Sequence, residues 1–220
     1  MKQFDVITIF PHILDSYINE SLFLRAQKNK VLKIKTHYLR QWTKDRHQTV
    51  DDKPYGGGVG LVFKADIIMK ALASIKRQKK SRVILTAANG KTFNQKTAQR
   101  LSKYDQLIFV CPRYEGVDAR VEKMVDEKIS IGDYILTGGE LPAMVIMDAV
   151  SRHYPTFVGK QESVQDESFS KDNYLEYPQY TRPEEVKYQG KKLKVPSVLL
   201  SGNHAKIKEW RVKKSKSQNT

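Results

Sequence analysis

Over the first 150 positions, short apolar runs alternate with stretches of helical periodicity. The runs at 4–10, 31–37, 82–86 and 106–111 are rich in Val, Ile, Leu, Phe or Tyr and predict strands. The stretches at 21–29, 65–76, 94–103, 117–125 and 141–153 predict helices. Strands alternating with helices predict a mostly parallel sheet covered on both faces, an α/β fold. Such sheets bind ligands outside the carboxyl ends of their strands, so the loops there are where chemistry is expected.

From Tyr154 to about Tyr180 the periodicity disappears. Pro155, Gly159, Ser163, Ser168, Ser170 and Pro178 punctuate a polar stretch that predicts a linker. Beyond it, residues 195–200 are apolar, and Asn203 predicts the cap of a helix with Ile207, Trp210 and the stem of Lys214 on one side. No internal repeat is visible.

With 220 residues, 40% of them apolar and 29% charged, the composition is globular, and one large domain or one large plus one small is expected. The single cysteine, Cys111, excludes a disulfide-rich secreted scaffold and fits a reducing compartment. No apolar run reaches bilayer-spanning length, and the start lacks a signal peptide's apolar stretch and cleavage site, so a soluble cytoplasmic protein is expected.

Charge changes the picture more. The 39 Lys and Arg against 24 Asp and Glu give +15, which points to a polyanionic partner, although a basic, well-solvated surface is the plain alternative. The charge is uneven. Residues 161–186 hold two basic and seven acidic side chains, whereas 187–220 hold ten basic and one acidic. Eight basic residues and one acid, Asp45, lie in 25–46, and Lys76, Arg77, Lys79, Lys80 and Arg82 cluster after a predicted helix. Each cluster is a candidate phosphate patch or a solvated face.

Three glycine-containing loops stand out: residues 54–60, Arg113-Tyr114-Glu115-Gly116, and residues 131–142, which include Gly132, Gly138 and Gly139. Glycine permits positive φ and close backbone approach, so these loops suit a nucleotide-like cofactor held by main-chain groups, or are simply tight turns. The dinucleotide and Walker fingerprints are absent, which weakens dehydrogenase and nucleotide-hydrolase readings. The five histidines have no i, i+4 partners, no zinc spacing occurs, and no nucleophile elbow is present, so no metal ligands are assigned. A polar group remains near the linker: Ser151, Arg152 and His153, then Asp166 and Glu167. An arginine with a carboxylate can remove a proton and stabilise the resulting oxyanion, or form a structural ion pair.

At these loops the sequence resembles a known family. Residues 45–58 (Asp45-Arg46-His47 through Gly56-Gly57-Gly58), Arg113-Tyr114-Glu115-Gly116-Val117-Asp118, residues 130–144, Tyr180-Thr181-Arg182-Pro183 and Leu200-Ser201-Gly202-Asn203-His204 resemble, in order, the bacterial tRNA (guanine-N1)-methyltransferases of the TrmD family, SPOUT class. The resemblance runs from Met1 to about Arg211. It implies a SPOUT-type, mostly parallel α/β sheet with a deep trefoil knot, a departure from ordinary connection rules, plus a small, mainly helical C-terminal domain. The implied limits are a knotted S-adenosyl-L-methionine-binding catalytic domain over 1–160, a flexible linker over 161–175, and a short tRNA-binding domain over 176–220. A homodimer with its active site at the subunit interface, methyl transfer to N1 of the guanosine 3′ of the anticodon, and assistance by magnesium are also implied.

Carried over residue by residue, the resemblance places Ala88, Pro112, Tyr114, Glu115, Ile131, Gly132, Asp133, Tyr134, Ile135, Leu136, Gly138, Gly139 and Pro142 against the cofactor. It places Arg152 against the guanine O6 and Glu167 at the general-base position usually held by aspartate, with Asp166 as the rival base. Arg46, His47, Asn203, His204, Lys206 and Arg211 are the implied tRNA contacts, on the anticodon stem-loop. Two departures touch the cofactor loops: Ala87-Ala88-Asn89-Gly90 replaces the family's Ser-Pro-Gln-Gly, and Pro112 replaces a glycine. Because proline has no amide hydrogen, weaker cofactor affinity is expected. Family members continue for some tens of residues past the position of Arg211, so a shortened C-terminal domain is expected, with Lys213, Lys214 and Lys216 available to phosphates. The alternatives are a non-catalytic tRNA-binding relative and a SPOUT methyltransferase for another RNA position.

Overall fold

The computed structural model describes residues 1–159, 167–170 and 174–217. The chain divides into two compact units, Met1–Gly159 and Lys160–Thr220. The first runs β1 (Lys2–Thr8), α1 (Asp15–Ile18), α2 (Ser21–Lys28), β2 (Leu32–Tyr38), β3 (Asp51–Asp52), β4 (Val62–Phe63), α3 (Ala65–Ser74), β5 (Ser81–Thr92), α4 (Gln95–Leu101), β6 (Gln106–Val110), β7 (Glu127–Ser130) and α5 (Glu140–Ser151), with 3-10 turns at Leu39–Trp42 and Ala119–Lys123.

Five strands form an all-parallel sheet in the order β2-β1-β6-β5-β7. Alternation along each strand splits the core into two layers. Phe4 and Val6 of β1 and Leu107 and Phe109 of β6 pack with Phe23, Leu101, Ile146 and Val150 from α2, α4 and α5. Ile7, Ile108 and Val110 pack on the other side with Ile67, Ile68 and Ala71 of α3 and with Val121. Both faces are therefore covered, as the continuous apolar strands predict.

Several boundaries differ from the periodicity. The stretch 117–125, expected to be a helix, forms only a five-residue 3-10 turn at Ala119–Lys123, with Asp118 Oδ1 accepting the Arg120 N–H at 2.9 Å. Phe63 holds the preceding residues in extended form, since its carbonyl accepts the Asp118 N–H at 2.9 Å. Tyr154 and Phe157, expected to open a linker, are buried in the first unit's core.

One irregularity positions the site. Thr86 and Lys91 of β5 both pair with Ile129 of β7, so residues 87–90 leave the ladder and form a loop inside the strand. A Cβ on Gly90 would lie 2.6 Å from the Ile129 amide nitrogen, and only glycine allows that return.

The second unit contains β8 (Tyr174–Leu175), β9 (Glu185–Tyr188), β10 (Lys191–Lys194), α6 (Ser197–Leu200), α7 (His204–Lys214) and β11 (Lys216–Ser217). β9 and β10 form an antiparallel hairpin, and β8 pairs with β11. Asn203 Oδ1 caps α7 by accepting the Lys206 N–H at 3.1 Å. Trp210 meets the rings of Tyr177 and Tyr180. Among the described residues no helix is long and apolar enough to cross a membrane.

Candidate active site

Where β5, β6 and β7 give way to loops, and where α5 begins, the first unit encloses a cavity of about 410 Å³. This is the size of a small-molecule site, at the strand ends where an open parallel sheet places its ligands. Its walls are the 87–89 segment, residues 112–117, residues 129–132 and residues 134–139 with Pro142. Twelve of the thirteen residues that the resemblance sets against a cofactor line this cavity. Asp133 is exposed and does not line it.

The loops are fastened to one another through the main chain. The Gly139 N–H donates to the Pro112 carbonyl at 2.8 Å, and Arg113 pairs with Gly138 in an antiparallel bridge. A Cβ on Gly139 would overlap Thr86 Oγ1, and one on Gly138 would overlap the Arg113 guanidinium. Gly132 has a φ of 151°, and a Cβ there would lie 2.5 Å from the Tyr134 ring. Glycine is required at these three points because other groups already fill the space. Tyr114 adopts a φ of 54°, which is costly for a residue with a side chain. Its ring rests edge-on against Phe63, 6.1 Å between centroids.

Beneath the cavity lies a buried charge that sequence reading did not single out. Glu140, 1% exposed, is the first residue of α5, and its Oε1 accepts the Thr8 hydroxyl at 2.7 Å. Its Oε2 lies 2.9 Å from Arg113 Nε, out of line for a hydrogen bond, so that contact is electrostatic. The Arg113 guanidinium also covers the Phe10 ring at 4.7 Å. An acidic residue in a helix's first turn complements the helix dipole, and this is the signal that sequence offers for Glu140. Nearby Cys111 is buried, and burial pushes its thiol up, with the Glu140 charge adding to the shift. It is therefore a neutral packing residue.

The 54–60 loop ends against the cavity wall. The Glu115 N–H donates to the Leu61 carbonyl at 3.0 Å, and a Cβ on Gly60 would lie 2.5 Å from the Glu115 side chain.

The expected catalytic residues are not gathered at this cavity within one chain's first unit. Arg152 is half-buried at the C-cap of α5. Ten residues of helix separate it from Pro142, roughly 15 Å. Glu167 belongs to the second unit, where its carbonyl accepts the Ser170 N–H at 3.0 Å. Asp166 lies outside the described residues. Of the expected tRNA contacts, Arg46 and His47 are exposed in a turn closed by the Asp45 carboxylate and the Thr49 hydroxyl, 2.7 Å apart. His204 and Lys206 are exposed on the first turn of α7, and Arg211 covers the Tyr177 ring at 4.8 Å. Among the described residues, no group of three or more His, Cys, Asp or Glu could hold a metal ion.

A family model described as tRNA (Guanine-1)-methyltransferase, TrmD, matches residues 1–220. A tRNA (guanine-N(1)-)-methyltransferase of Dictyoglomus turgidum is 49% identical over 215 residues, covering 98% of this chain and 85% of the relative. The protein of the same name from Carboxydothermus hydrogenoformans is 50% identical over 212 residues, 96% of this chain and 81% of the relative. That of Staphylococcus carnosus is 46% identical over 208 residues, 94% and 83%.

Proposed function

The chain belongs to the TrmD family of tRNA (guanine-1)-methyltransferases, and from that premise we propose that it methylates N1 of the guanosine immediately 3′ of a tRNA anticodon. It is an S-adenosyl-L-methionine-dependent tRNA methyltransferase of SPOUT-type α/β fold, a class in which the family places a deep trefoil knot. The observation that carries the reading is the cavity where three interlocked loops meet. Its composition suits the donor: Ile131, Leu136 and Pro142 offer apolar walls to an adenine ring, while Gly132, Gly138 and Gly139 bring main-chain polar groups close enough to hold ribose and methionine. When bound, S-adenosyl-L-methionine supplies an electrophilic methyl group.

The chain's own residues do the rest. The Glu167 carboxylate takes the N1 proton, with Asp166 as the competing base. The Arg152 guanidinium stabilises the negative charge that builds on O6 as that proton leaves. A homodimer accounts for the distance between Arg152 and the cavity, because the other protomer can present Arg152 where one chain's helix carries it away. The outer face of α5 supports this assembly: Leu141 and Val145 are about half exposed, and Phe10 and Tyr17 are exposed apolar residues of the same unit. Arg46, His47, Asn203, His204, Lys206 and Arg211 contact the anticodon stem-loop, and a tRNA substrate places the enzyme in the cytoplasm.

The test uses labelled S-adenosyl-L-methionine with tRNA transcripts carrying guanosine or adenosine after the anticodon, with magnesium and with a chelator. Transfer to the guanosine transcript alone is expected. Transfer to both transcripts, or to neither, overturns the proposal.

A further inference from the structure

The β9–β10 hairpin has two chemically distinct faces. Its register pairs Glu185 with Lys194, Val186 with Leu193, Lys187 with Lys192 and Tyr188 with Lys191. Residues directly opposite share a face, and faces alternate along each strand. One face therefore carries Glu185, Lys187, Lys192 and Lys194, and the other Val186, Tyr188, Lys191 and Leu193. The connecting residues Gln189 and Gly190 have φ of 49° and 74°, the positive values of a type I′ turn that matches strand twist and holds the register. The first face is thus a preformed array of charges.

That array is unfavourable for the ribbon itself. Lys187 and Lys192 stand directly opposite one another, and like charges in that position destabilise a two-stranded sheet. Only two of the three lysines reach the face's one carboxylate: Glu185 lies 3.6 Å from Lys192 Nζ and 3.4 Å from Lys194 Nζ. Among the described residues Lys187 has no ion-pair partner. A neutral or acidic side chain at 187 would steady the hairpin, so its folding does not explain the charge. Lys192 and Lys194 project on one face about 7 Å apart along the strand, close to the separation of neighbouring phosphates in a nucleic-acid backbone.

We propose that the Lys187, Lys192 and Lys194 face of this hairpin binds backbone phosphates of the tRNA substrate. The inference rests on the tRNA reading above and adds to it a contact surface outside the residues named there. Each lysine that meets a phosphate releases condensed counterions, so the contact is read directly in the salt dependence of binding.

The test compares the full chain with the triple variant Lys187→Gln, Lys192→Gln, Lys194→Gln. A control, Lys70→Gln, Lys103→Gln, Lys123→Gln, removes the same charge from exposed sites of the first unit, and a triple Lys→Arg variant keeps the hairpin's charge. Binding of a tRNA transcript is measured across salt concentrations apart from catalysis. The hairpin Gln variant is expected to bind roughly tenfold more weakly at low salt, and its log–log salt slope to shrink by about 2 to 3. Its KM for S-adenosyl-L-methionine and its kcat at saturating tRNA stay unchanged, its thermal midpoint does not fall, and the Arg variant binds as the parent does. An unchanged slope, or equal weakening in the control, overturns the proposal. Absence of methyl transfer by the parent chain would sink the catalytic reading while leaving this binding comparison readable.

Discussion

Gly139 packs against Thr86 with no space between them: a Cβ at 139 would overlap the Thr86 hydroxyl oxygen, which itself contacts the Val110 carbonyl at 3.2 Å. The loop proposed to hold the cofactor thus sits directly on the sheet. Gly139→Ala is expected to push the loop off its seat, at about 1–3 kcal/mol of overpacking. Calorimetric titration should show S-adenosyl-L-methionine binding at least tenfold weaker. Adding Thr86→Ala relieves only one of the overlaps. Pro112 Cδ and the Cys111 Cα would still lie 2.7 and 2.8 Å away, so recovery should be partial. Wild-type affinity in Gly139→Ala would show that the loop can bind the donor from a different position.

Glu140 fastens the same loop from below. Thr8→Val removes a hydrogen bond to a buried carboxylate and should cost about 1.5–3 kcal/mol in urea unfolding. Glu140→Ala leaves the Arg113 guanidinium, which is mostly covered, without its charge partner, and about 3–5 kcal/mol is expected. Both variants should raise KM for S-adenosyl-L-methionine more than they lower kcat, because the contact lies beneath the cavity proposed to hold the donor. A fall in kcat with unchanged KM would contradict that placement.

Asp5 makes acid stability dependent on one buried site. Burial alone would raise its pKa, but side-chain hydrogen bonds from His37, Gln106 and Gln3 outweigh burial and hold the carboxyl below its ordinary value. Because the folded pKa is depressed, the stabilisation is fully present above the unfolded pKa near 4 and is lost as pH falls through the folded value. Asp5→Asn should therefore flatten the decline of the thermal midpoint below about pH 4. Parallel acid limbs for the two proteins would remove Asp5 as a cause.

How much of this was legible depends on where each element's cause lies. β1 and β6 are visible because their side chains are buried and mostly apolar on both faces of a covered sheet, and the edge strand β2 because Leu32 and Ile34 alternate with the exposed Lys33 and Lys35. β7 is not: Glu127-Lys128-Ile129-Ser130 has one apolar residue and is a strand because Ile129 fits between Thr86 and Lys91 of β5. The loop within β5 is hidden for the same reason, since its register is set by a partner about forty residues away. Gly132, Gly138 and Gly139 could be singled out as glycines in loops, but what excludes a side chain at each, such as Arg113 or Thr86, appears only in three dimensions. The Thr8–Glu140 contact spans 132 positions and leaves no local pattern.

The base assignment separates by isosteric change. Glu167→Gln keeps the shape of the side chain and removes its basicity, so single-turnover methyl transfer should fall by about 10²-fold or more, with S-adenosyl-L-methionine affinity unchanged. Asp166→Asn should retain most of the rate. The reverse pattern would move the base to Asp166. Arg152→Ala removes the charge proposed to face O6, and a loss of about 10²–10³ in kcat is expected.

Pro112 offers a gain rather than a loss. Its carbonyl accepts the Gly139 N–H at 2.8 Å, and Pro112, which lines the cavity, has no amide hydrogen to donate. Pro112→Ala restores one backbone donor without glycine's added freedom and leaves the carbonyl in place. A net hydrogen bond contributes about 0.5–1.5 kcal/mol, which converts to roughly two- to tenfold tighter S-adenosyl-L-methionine binding. Two effects oppose it: the released φ at 112 loosens the turn into Arg113, and the lost ring removes apolar contact with the cavity. Titration at equal ionic strength decides between them. Tighter binding shows that the missing donor dominates, and weaker binding shows that proline at this position acts mainly by holding the Arg113 loop against Gly138.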